Sequence, residues 1–233
     1  MDKKKFWKYL MLSNLVKRTI TSFILILLLS ICLFYNELSW KILIISVSIL
    51  CLYEFNNLIC KIYKNKLIIV ILLLLVILYL FLFNYLLIKI RSEYGEESIL
   101  ILLIACFFSD IGGYIVGKTI GGPKLTSLSP NKTISGALGS IIFTVIGTSI
   151  FLIILNKIES NSIELEISFK FYIWLISMSI YCQIGDLFIS YVKRKANMKD
   201  TGKILPGHGG ILDRVDGIIL AIPFGALTYF VYF

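Results

Sequence analysis

The polar stretch SYVKRKANMKDTGKILPGHGGILDRVD (Ser190–Asp216) holds the side chains best suited to chemistry in an otherwise apolar chain. It contains a cluster of five Lys or Arg residues, the only histidine, His208, and a closely spaced acidic pair, Asp213 and Asp216. Cationic side chains, glycines that expose the backbone and neighbouring carboxylates are the groups that hold a polyphosphate and its divalent metal ion. The stretch is therefore predicted to bind a phosphate-bearing substrate together with a cation.

The acidic residues are the predicted metal ligands. Asp213 and Asp216 are three positions apart, so at the start of a helix they share one face and can jointly bind a cation. Mg²⁺ takes one or two carboxylates and completes its shell with phosphate oxygens and water. Asp186 is the expected further ligand, with Ser190 one turn and Lys193 two turns later on the same helix. An N-terminal cap or a pair with the neighbouring arginine is the alternative for Asp213, and burial beside a lysine is the alternative for Asp186.

Backbone and cationic groups around the histidine are the predicted phosphate-binding elements. Gly209 and Gly210 let backbone N–H groups approach a phosphate at the start of the following helix, whose positive end faces the anion. A tight turn that needs positive φ is the alternative use of these glycines. The cationic candidates are Lys193, Arg194, Lys199, Lys203 and Arg214, some of which serve only to keep the loop in the cytoplasm in the alternative interpretation.

A second polar loop, Asp110–Gly136, supplies further candidates. Ser129, Lys132 and Thr133 offer two hydroxyls and an ammonium ahead of an apolar segment, which resembles a phosphate cradle without the P-loop pattern. Asp110 lies inside an apolar segment with Tyr114 one turn on, and an isolated acid there is costly. We expect it to face a polar cavity and bind metal or substrate. The acid Glu54 invites the same argument more weakly, and a helix–helix hydrogen bond is its expected use.

Composition predicts the class of protein that positions these groups. Hydrophobic residues make up 58% of the 233 residues, against about 45–50% in soluble proteins. We predict an all-α, polytopic integral membrane protein with about seven transmembrane helices. The apolar segments are roughly Ile20–Tyr35, Trp40–Ile59, Leu67–Ile88, Ser98–Gly117, Gly136–Leu155, Phe169–Ile189 and Ile211–Phe233.

The loops between the segments alternate in charge. One set of loops, which includes the N-terminus, holds eighteen of the 23 basic residues. Because basic loops stay in the cytoplasm, the N-terminus and both polar loops are predicted to be cytoplasmic. The net charge of +9 is then largely an orientation signal, and nothing in it requires a nucleic acid. Residues 1–97 are predicted to anchor the chain in the membrane, and residues 98–233 to form the catalytic region.

At this point a family resemblance can be stated. The run Ser190–Asp216 resembles the signature of phosphatidate cytidylyltransferases, also called CDP-diacylglycerol synthases. The second polar loop and the Gly185-Asp186-Leu187 segment resemble the same family, so the likeness covers about the last 130 residues. Two positions depart from the family pattern: Ile189 stands where glutamate is common, and Ser135 where Glu or Gln is common. An active enzyme must then work without a carboxylate or amide at those two positions.

The resemblance implies an enzyme that joins phosphatidic acid to CTP, giving CDP-diacylglycerol and pyrophosphate. It implies Mg²⁺ as cofactor, CTP, phosphatidic acid and the bilayer as partners, a homodimer, and a multi-pass location in the cytoplasmic membrane with the site facing the cytoplasm. His208 would then bind a phosphate or protonate the departing pyrophosphate. A different class of protein, an ion-coupled transporter that binds cations at Asp110 and Asp186, is the alternative hypothesis.

Overall fold

The chain folds into helices joined by short turns and two longer polar loops. The computed structural model describes residues 3–126, 129, 132–158 and 168–232. Within those ranges the regular elements are helices and no strand forms, which confirms the predicted all-α class. The helices are α1 (Lys3–Tyr35), α2 (Glu37–Ile62), α3 (Lys66–Thr119), α4 (Ile134–Ile158), α5 (Phe169–Lys195), α6 (Leu212–Val215) and α7 (Ile218–Tyr232).

Five of the helices that the structure describes are long and apolar enough to cross a membrane: α1 through its part Val16–Tyr35, α2, α3, α4 and α5. Large apolar side chains project outward from them, and Phe23, Leu67 and Phe81 are each about two-thirds exposed or more. Soluble proteins rarely present apolar surface on this scale. The helices are thus consistent with an integral membrane protein.

The helix boundaries differ from the predicted segments in one place, the last segment. The predicted third and fourth segments are two helices that meet at a kink at Gly95, inside the range given for α3. This residue has φ 79°, a value that glycine adopts without the steric penalty of a side chain. The predicted last segment is divided into the short helix α6 and the 15-residue helix α7, because the chain turns at Asp216 and Gly217.

The chain divides into two compact units. The first unit contains Met1–Leu80 and Lys195–Arg214, and the second unit contains Phe81–Arg194 and Val215–Phe233. The signature run thus contributes to both units. The predicted division at residue 97 separates an anchoring from a catalytic region; it does not coincide with the compact units, and it stays a prediction.

In the first unit, α1 and α2 form an antiparallel pair around a tight turn. Asn36 caps α2, since its Oδ1 accepts from the backbone N–H of Ser39 at 2.6 Å. The hydroxyl of Ser39 donates to the carbonyl of Cys32 on α1 at 2.9 Å. Leu33 of α1 and Leu58 of α2 are both fully buried.

In the second unit, small residues let helices approach closely. A Cβ added to Gly112 of α3 would clash with the carbonyl oxygen of Gly139 on α4. A Cβ on Gly225 of α7 would clash with the sulfur of Met178 on α5, and Trp174 Nε1 of α5 donates to the Gly225 carbonyl at 2.8 Å. Such close contacts are typical of helices packed in membranes, and they set the positions of the polar groups described next.

Candidate functional site

Asp186 and Lys132 form an ion pair among the polar groups of the second unit. Asp186 lies on α5, and Lys132 lies two residues before α4. The hydroxyl of Ser190, one helical turn after Asp186, donates to its Oδ1 at 3.3 Å. Both partners of the pair are only about one-quarter to one-third exposed, so their charges are partly shielded from water. The structure thus brings together three of the predicted site residues.

Asp216 adds a second carboxylate to this neighbourhood. It lies in the turn between α6 and α7, where its Oδ1 accepts from the backbone N–H of Gly217 at 2.9 Å. Burial, as the larger cause, and the negative charge of Asp186 raise the pKa of Asp216 to about 7 against the opposing effect of the nearby Lys193 ammonium. Asp216 is therefore a partly buried acid with a like charge beside it, an arrangement that a bound cation would relieve.

Glycines allow the turn to approach α5 at this point. A Cβ on Gly185 would lie 2.5 Å from the carbonyl oxygen of Asp216, and a Cβ on Gly217 would lie 2.5 Å from the sulfur of Cys182. Real Cβ atoms essentially never come within 3.0 Å of such atoms. The sequence pairs Gly185-Asp186 and Asp216-Gly217 therefore place their two carboxylates by backbone contact.

Asp110 on α3 is a third acid near Asp186 and Asp216. Its charge contributes a smaller upward effect on the pKa of Asp216, and Cys182 Sγ donates to its Oδ1 at 3.8 Å. The side chain is exposed, as is Tyr114 one turn later, whose hydroxyl accepts from Lys118 at 3.2 Å. Asp110 therefore lies at an accessible edge of the acidic group.

The donor set suits Mg²⁺ with two protein carboxylates. Among the residues that the structure describes, no group of three or more His, Cys, Asp or Glu side chains lies close enough to hold a metal ion. Mg²⁺ needs only one or two carboxylates when phosphate and water complete its shell. Asp186 and Asp216 fit that requirement. The three-ligand set with Asp213 stays a prediction, and the structure gives Asp213 other partners, as described below.

The hydroxyls of the second polar loop mainly organise the start of α4. Thr133 caps this helix, because its Oγ1 accepts from the backbone N–H of Gly136 at 3.1 Å. It also exchanges a hydrogen bond with Ser135, whose hydroxyl donates to the carbonyl of Gly121. The backbone carbonyl of Ser129 accepts from the N–H of Lys132 at 3.2 Å. The neighbouring Pro130 lies outside the described residues.

In the first unit, Asp213 accepts hydrogen bonds from the signature loop itself. Its Oδ2 accepts from the backbone N–H of Thr201 at 2.8 Å and from the backbone N–H of Gly210 at 3.0 Å. The hydroxyl oxygen of Thr201 lies 3.0 Å from the same Oδ2, but its single hydrogen is donated to the nearer Glu54 at 2.7 Å. These contacts make Asp213 a structural brace of the loop. They also show that the N–H of Gly210, predicted to face a phosphate, donates to a carboxylate.

Glu54 of α2, which the sequence offered only as a weak candidate, is a central contact of the signature loop in the first unit. It is fully buried, and its carboxylate accepts from Thr201 Oγ1 at 2.7 Å, Ile211 N at 3.1 Å and Leu212 N at 2.9 Å. The predicted helix–helix hydrogen bond is found only at Leu212, the first residue of α6, and the other two described donors to Glu54 lie in the signature loop. An acid inside an apolar segment was the only signal.

The turn Leu205–Gly209 carries the histidine and is held by α1. Arg18 Nε donates to the carbonyl of Gly207 at 2.8 Å, and the hydroxyl of Ser22 lies 3.1 Å from His208 Nε2. Burial lowers the pKa of His208, and the positive charges of Arg214 and Arg18 lower it further. The folded environment therefore favours the neutral form of the His208 ring.

The remaining predicted cations lie at the surface. Arg214 donates through Nη2 to the carbonyl of His208 at 2.9 Å. The side chains of Arg194, Lys199 and Lys203 are exposed. Gly209 has φ +84° and its carbonyl accepts from Leu205 N at 2.9 Å, which matches the tight-turn alternative for the glycines.

Comparison with known proteins identifies the relatives of this chain. The model of the "Cytidylyltransferase family" matches residues 64–232. A phosphatidate cytidylyltransferase of Helicobacter pylori is 38% identical over 148 residues, covering 63% of this chain and 52% of the relative. The protein of the same name from Bacillus subtilis is 39% identical over 142 residues (59% and 49%), and that from Rickettsia bellii is 44% identical over 130 residues (53% and 54%). The chain spans about half the length of these relatives.

Proposed function

Because the chain belongs to the cytidylyltransferase family, we propose that it transfers the CMP group of CTP to phosphatidic acid, giving CDP-diacylglycerol and pyrophosphate. The relatives named above carry the name of this activity. The observation that carries the proposal is the group of Asp186, Lys132, Ser190 and Asp216 in the second unit. It combines carboxylates for a divalent cation with an ammonium for phosphate.

The reaction depends more on electrostatic stabilisation of its anionic groups than on a strong acid or base. A phosphate oxygen of phosphatidic acid forms a bond to the α-phosphorus of CTP, and the bond from that phosphorus to the pyrophosphate oxygen breaks. The attacking phosphate is already ionised, so no strong base has to remove a proton. Both reactants are anions and charge grows on pyrophosphate, so positioning and electrostatic stabilisation supply the rate, as in phosphoryl transfer generally.

The residues of the second unit divide these tasks. Lys132 and Lys193 offset the negative charge of the phosphates, and the hydroxyl of Ser190 fixes the orientation of Asp186. Asp186 and Asp216 are the residues that would hold Mg²⁺. When bound, the ion would neutralise the triphosphate and the developing charge on pyrophosphate. In the first unit, Lys199 and Lys203 are proposed to bind the triphosphate or the lipid head group.

We extend the proposal to the membrane arrangement. The alternation of basic loops supports about seven membrane passes, a cytoplasmic N-terminus and a site facing the cytoplasm of the inner membrane. Phosphatidic acid would enter from the bilayer and CTP from water. A homodimer is proposed by analogy with the family. The alternative hypothesis, an ion-coupled transporter, is not favoured by the family match.

The test is direct transfer of label. Purified full chain in mixed micelles would receive phosphatidic acid, CTP labelled at the α-phosphate and Mg²⁺, with Asp186→Asn and a sample without Mg²⁺ as controls. Label is expected in the lipid phase with wild type and in neither control. A folded wild-type chain that leaves all label in water, but moves cations across reconstituted vesicles without CTP, would contradict the proposal.

A further inference from the structure

The signature loop is anchored by a residue that lies outside the family match. The match begins at residue 64, whereas Glu54 lies ten positions earlier on α2. Its carboxylate is nevertheless fully buried against Thr201 and the backbone that leads into α6. The contact joins positions 147 to 158 residues apart in sequence, so it is a tertiary link and not a local cap.

Three different donors meet the two oxygens of this carboxylate. Oε2 accepts from Thr201 Oγ1 at 2.7 Å and from Leu212 N at 2.9 Å, and Oε1 accepts from Ile211 N at 3.1 Å. Thr201 is itself 1% exposed. Buried hydrogen bonds to an ionised acceptor are among the strongest in proteins, and each donor left unpaired in such a place is costly. One carboxylate therefore ties both ends of the loop to α2.

Two glycines of the loop leave space for Glu54. A Cβ on Gly202 would lie 2.5 Å from its Oε1. A Cβ on Gly210 would overlap both its Oε2 and the hydroxyl of Thr201. Neither Gly202 nor Gly210 has positive φ, so a special backbone conformation does not explain them. Their missing side chains are explained by the carboxylate they surround.

The loop that Glu54 holds carries the groups assigned to the substrate. Lys199 and Lys203 flank Thr201 in the sequence. Asp213 accepts hydrogen bonds from the backbone N–H groups of Thr201 and Gly210. Fixing Thr201 and the start of α6 therefore fixes where these side chains can reach. We propose that Glu54 is a positioning residue for cytidylyl transfer, acting through Thr201 and the backbone of Ile211 and Leu212. This inference rests on the proposed function and adds to it a residue from the N-terminal region.

The chemistry of the carboxylate makes a sharp substitution available. Glu54→Gln keeps the size but replaces one acceptor oxygen by an NH₂ group, which would face a donor, either an N–H of the loop or the Thr201 hydroxyl. Thr201→Val removes the hydroxyl at nearly constant size, and Thr201→Ser retains it. Glu37→Gln makes the same chemical change on the exposed first turn of α2, where Glu37 pairs with Lys41 at 2.7 Å, and serves as the matched control.

Two measurements on the purified full chain test the proposal. The first is kcat for transfer of labelled CMP to phosphatidic acid, and the second is hydrogen exchange of the Ile211 and Leu212 amides. Glu54→Gln and Thr201→Val are each expected to lower kcat at least tenfold, and Glu54→Gln to speed exchange at both amides at least tenfold. Thr201→Ser is expected to keep kcat within threefold of wild type, as is the Glu37 control.

The outcomes separate this inference from the proposed function. If wild type is active and Glu54→Gln retains its kcat, or loses it without faster exchange at Ile211 and Leu212, the positioning role is overturned and cytidylyl transfer stands. If Glu54→Gln does not fold, the Thr201 pair decides: equal kcat for Val and Ser overturns the role. If wild type transfers no CMP while its amides are protected and Glu54→Gln exposes them, the proposed function fails, the positioning role fails with it, and the anchor is structural only.

Discussion

Lys132 and Asp186 form an ion pair that connects the segment before α4 to α5 in the second unit. Because Asp186 also accepts from Ser190, removing the ammonium leaves a partly buried carboxylate with one neutral partner. Lys132→Met is expected to lower CMP transfer about 100-fold, the cost of losing one charge-stabilising donor in comparable sites. Initial rates with labelled CTP measure the effect.

The matched control for this prediction is Lys124→Met. Lys124 lies in the same polar loop and is exposed, and its backbone forms an isolated bridge with Thr133 that the substitution retains. Transfer is expected within twofold of wild type. If both lysine variants lost activity equally, the ion pair with Asp186 would have no special role in the reaction.

Replacing Asp213 or Asp216 by alanine is expected to have different effects on the stability of the protein. Asp213→Ala leaves the buried backbone donors of Thr201 and Gly210 unpaired, and each such donor costs about 1–3 kcal/mol. Asp216→Ala removes one hydrogen bond, from the adjacent Gly217, and one member of a repelling acid pair. Both variants should lose activity, but only Asp213→Ala should lower the melting temperature.

Thermal unfolding in detergent, followed by intrinsic fluorescence, distinguishes the two variants. A clear downward shift for Asp213→Ala with an unchanged midpoint for Asp216→Ala is the expected result. Equal midpoints for the two variants would contradict the view that Asp213 braces the loop.

The positions of the helices follow from the apolar pattern because burial in a bilayer demands long runs without charge. The first six predicted segments lie largely within described helices, and the boundary between the third and fourth segments falls at the Gly95 kink, where two helices meet as the pattern predicted. The last segment is divided between α6 and α7, and the count of seven membrane passes stays a prediction. Charged residues are compatible with a helix, so only the positive φ of Gly95 marks the change of direction.

The site was harder to predict than the fold because its contacts join distant positions. Asp186 and Ser190 are one turn apart, and the sequence alone placed them together. The partners of Glu54 lie 147 or more residues away, and no local pattern identifies them. The sequence likewise offered both a metal-binding and a capping use for Asp213, and its contacts with Thr201 became visible only in the folded chain.

The close approach of α3 and α4 in the second unit depends on Gly112 more than on its neighbour. A Cβ on Gly112 meets the backbone carbonyl of Gly139, which cannot move without the helix. A Cβ on Gly113 meets the Ser140 hydroxyl oxygen at 2.6 Å, and that hydroxyl can rotate away. Gly112→Ala is therefore expected to destabilise the protein by about 1–3 kcal/mol, the usual cost of overpacking, and Gly113→Ala by less.

The two alanine variants are each other's control, since both add one methyl group and the two sites are adjacent in the sequence. Melting temperatures measured in one detergent compare them directly. A larger loss for Gly113→Ala than for Gly112→Ala would mean that the backbone contact with Gly139 does not limit the helix spacing.

The single histidine offers a spectroscopic test of the turn held by α1 in the first unit. Burial and the charges of Arg214 and Arg18 hold the pKa of His208 below its ordinary value of 6.5, so folding favours the neutral ring. Its contribution to stability is then present above pH 6.5 and is lost as the pH falls through the folded-state pKa. Because the chain contains one histidine, its imidazole resonance is assigned without ambiguity, and an NMR titration is expected to give a midpoint below 6.5.

The variant Arg18→Gln removes one of the two charges that act on His208 and should move the midpoint upward. The variant Lys17→Gln changes the adjacent cation on α1 and should leave the midpoint unchanged. A wild-type midpoint at or above 6.5, or equal shifts for both variants, would show that Arg18 does not act on His208 in the folded protein.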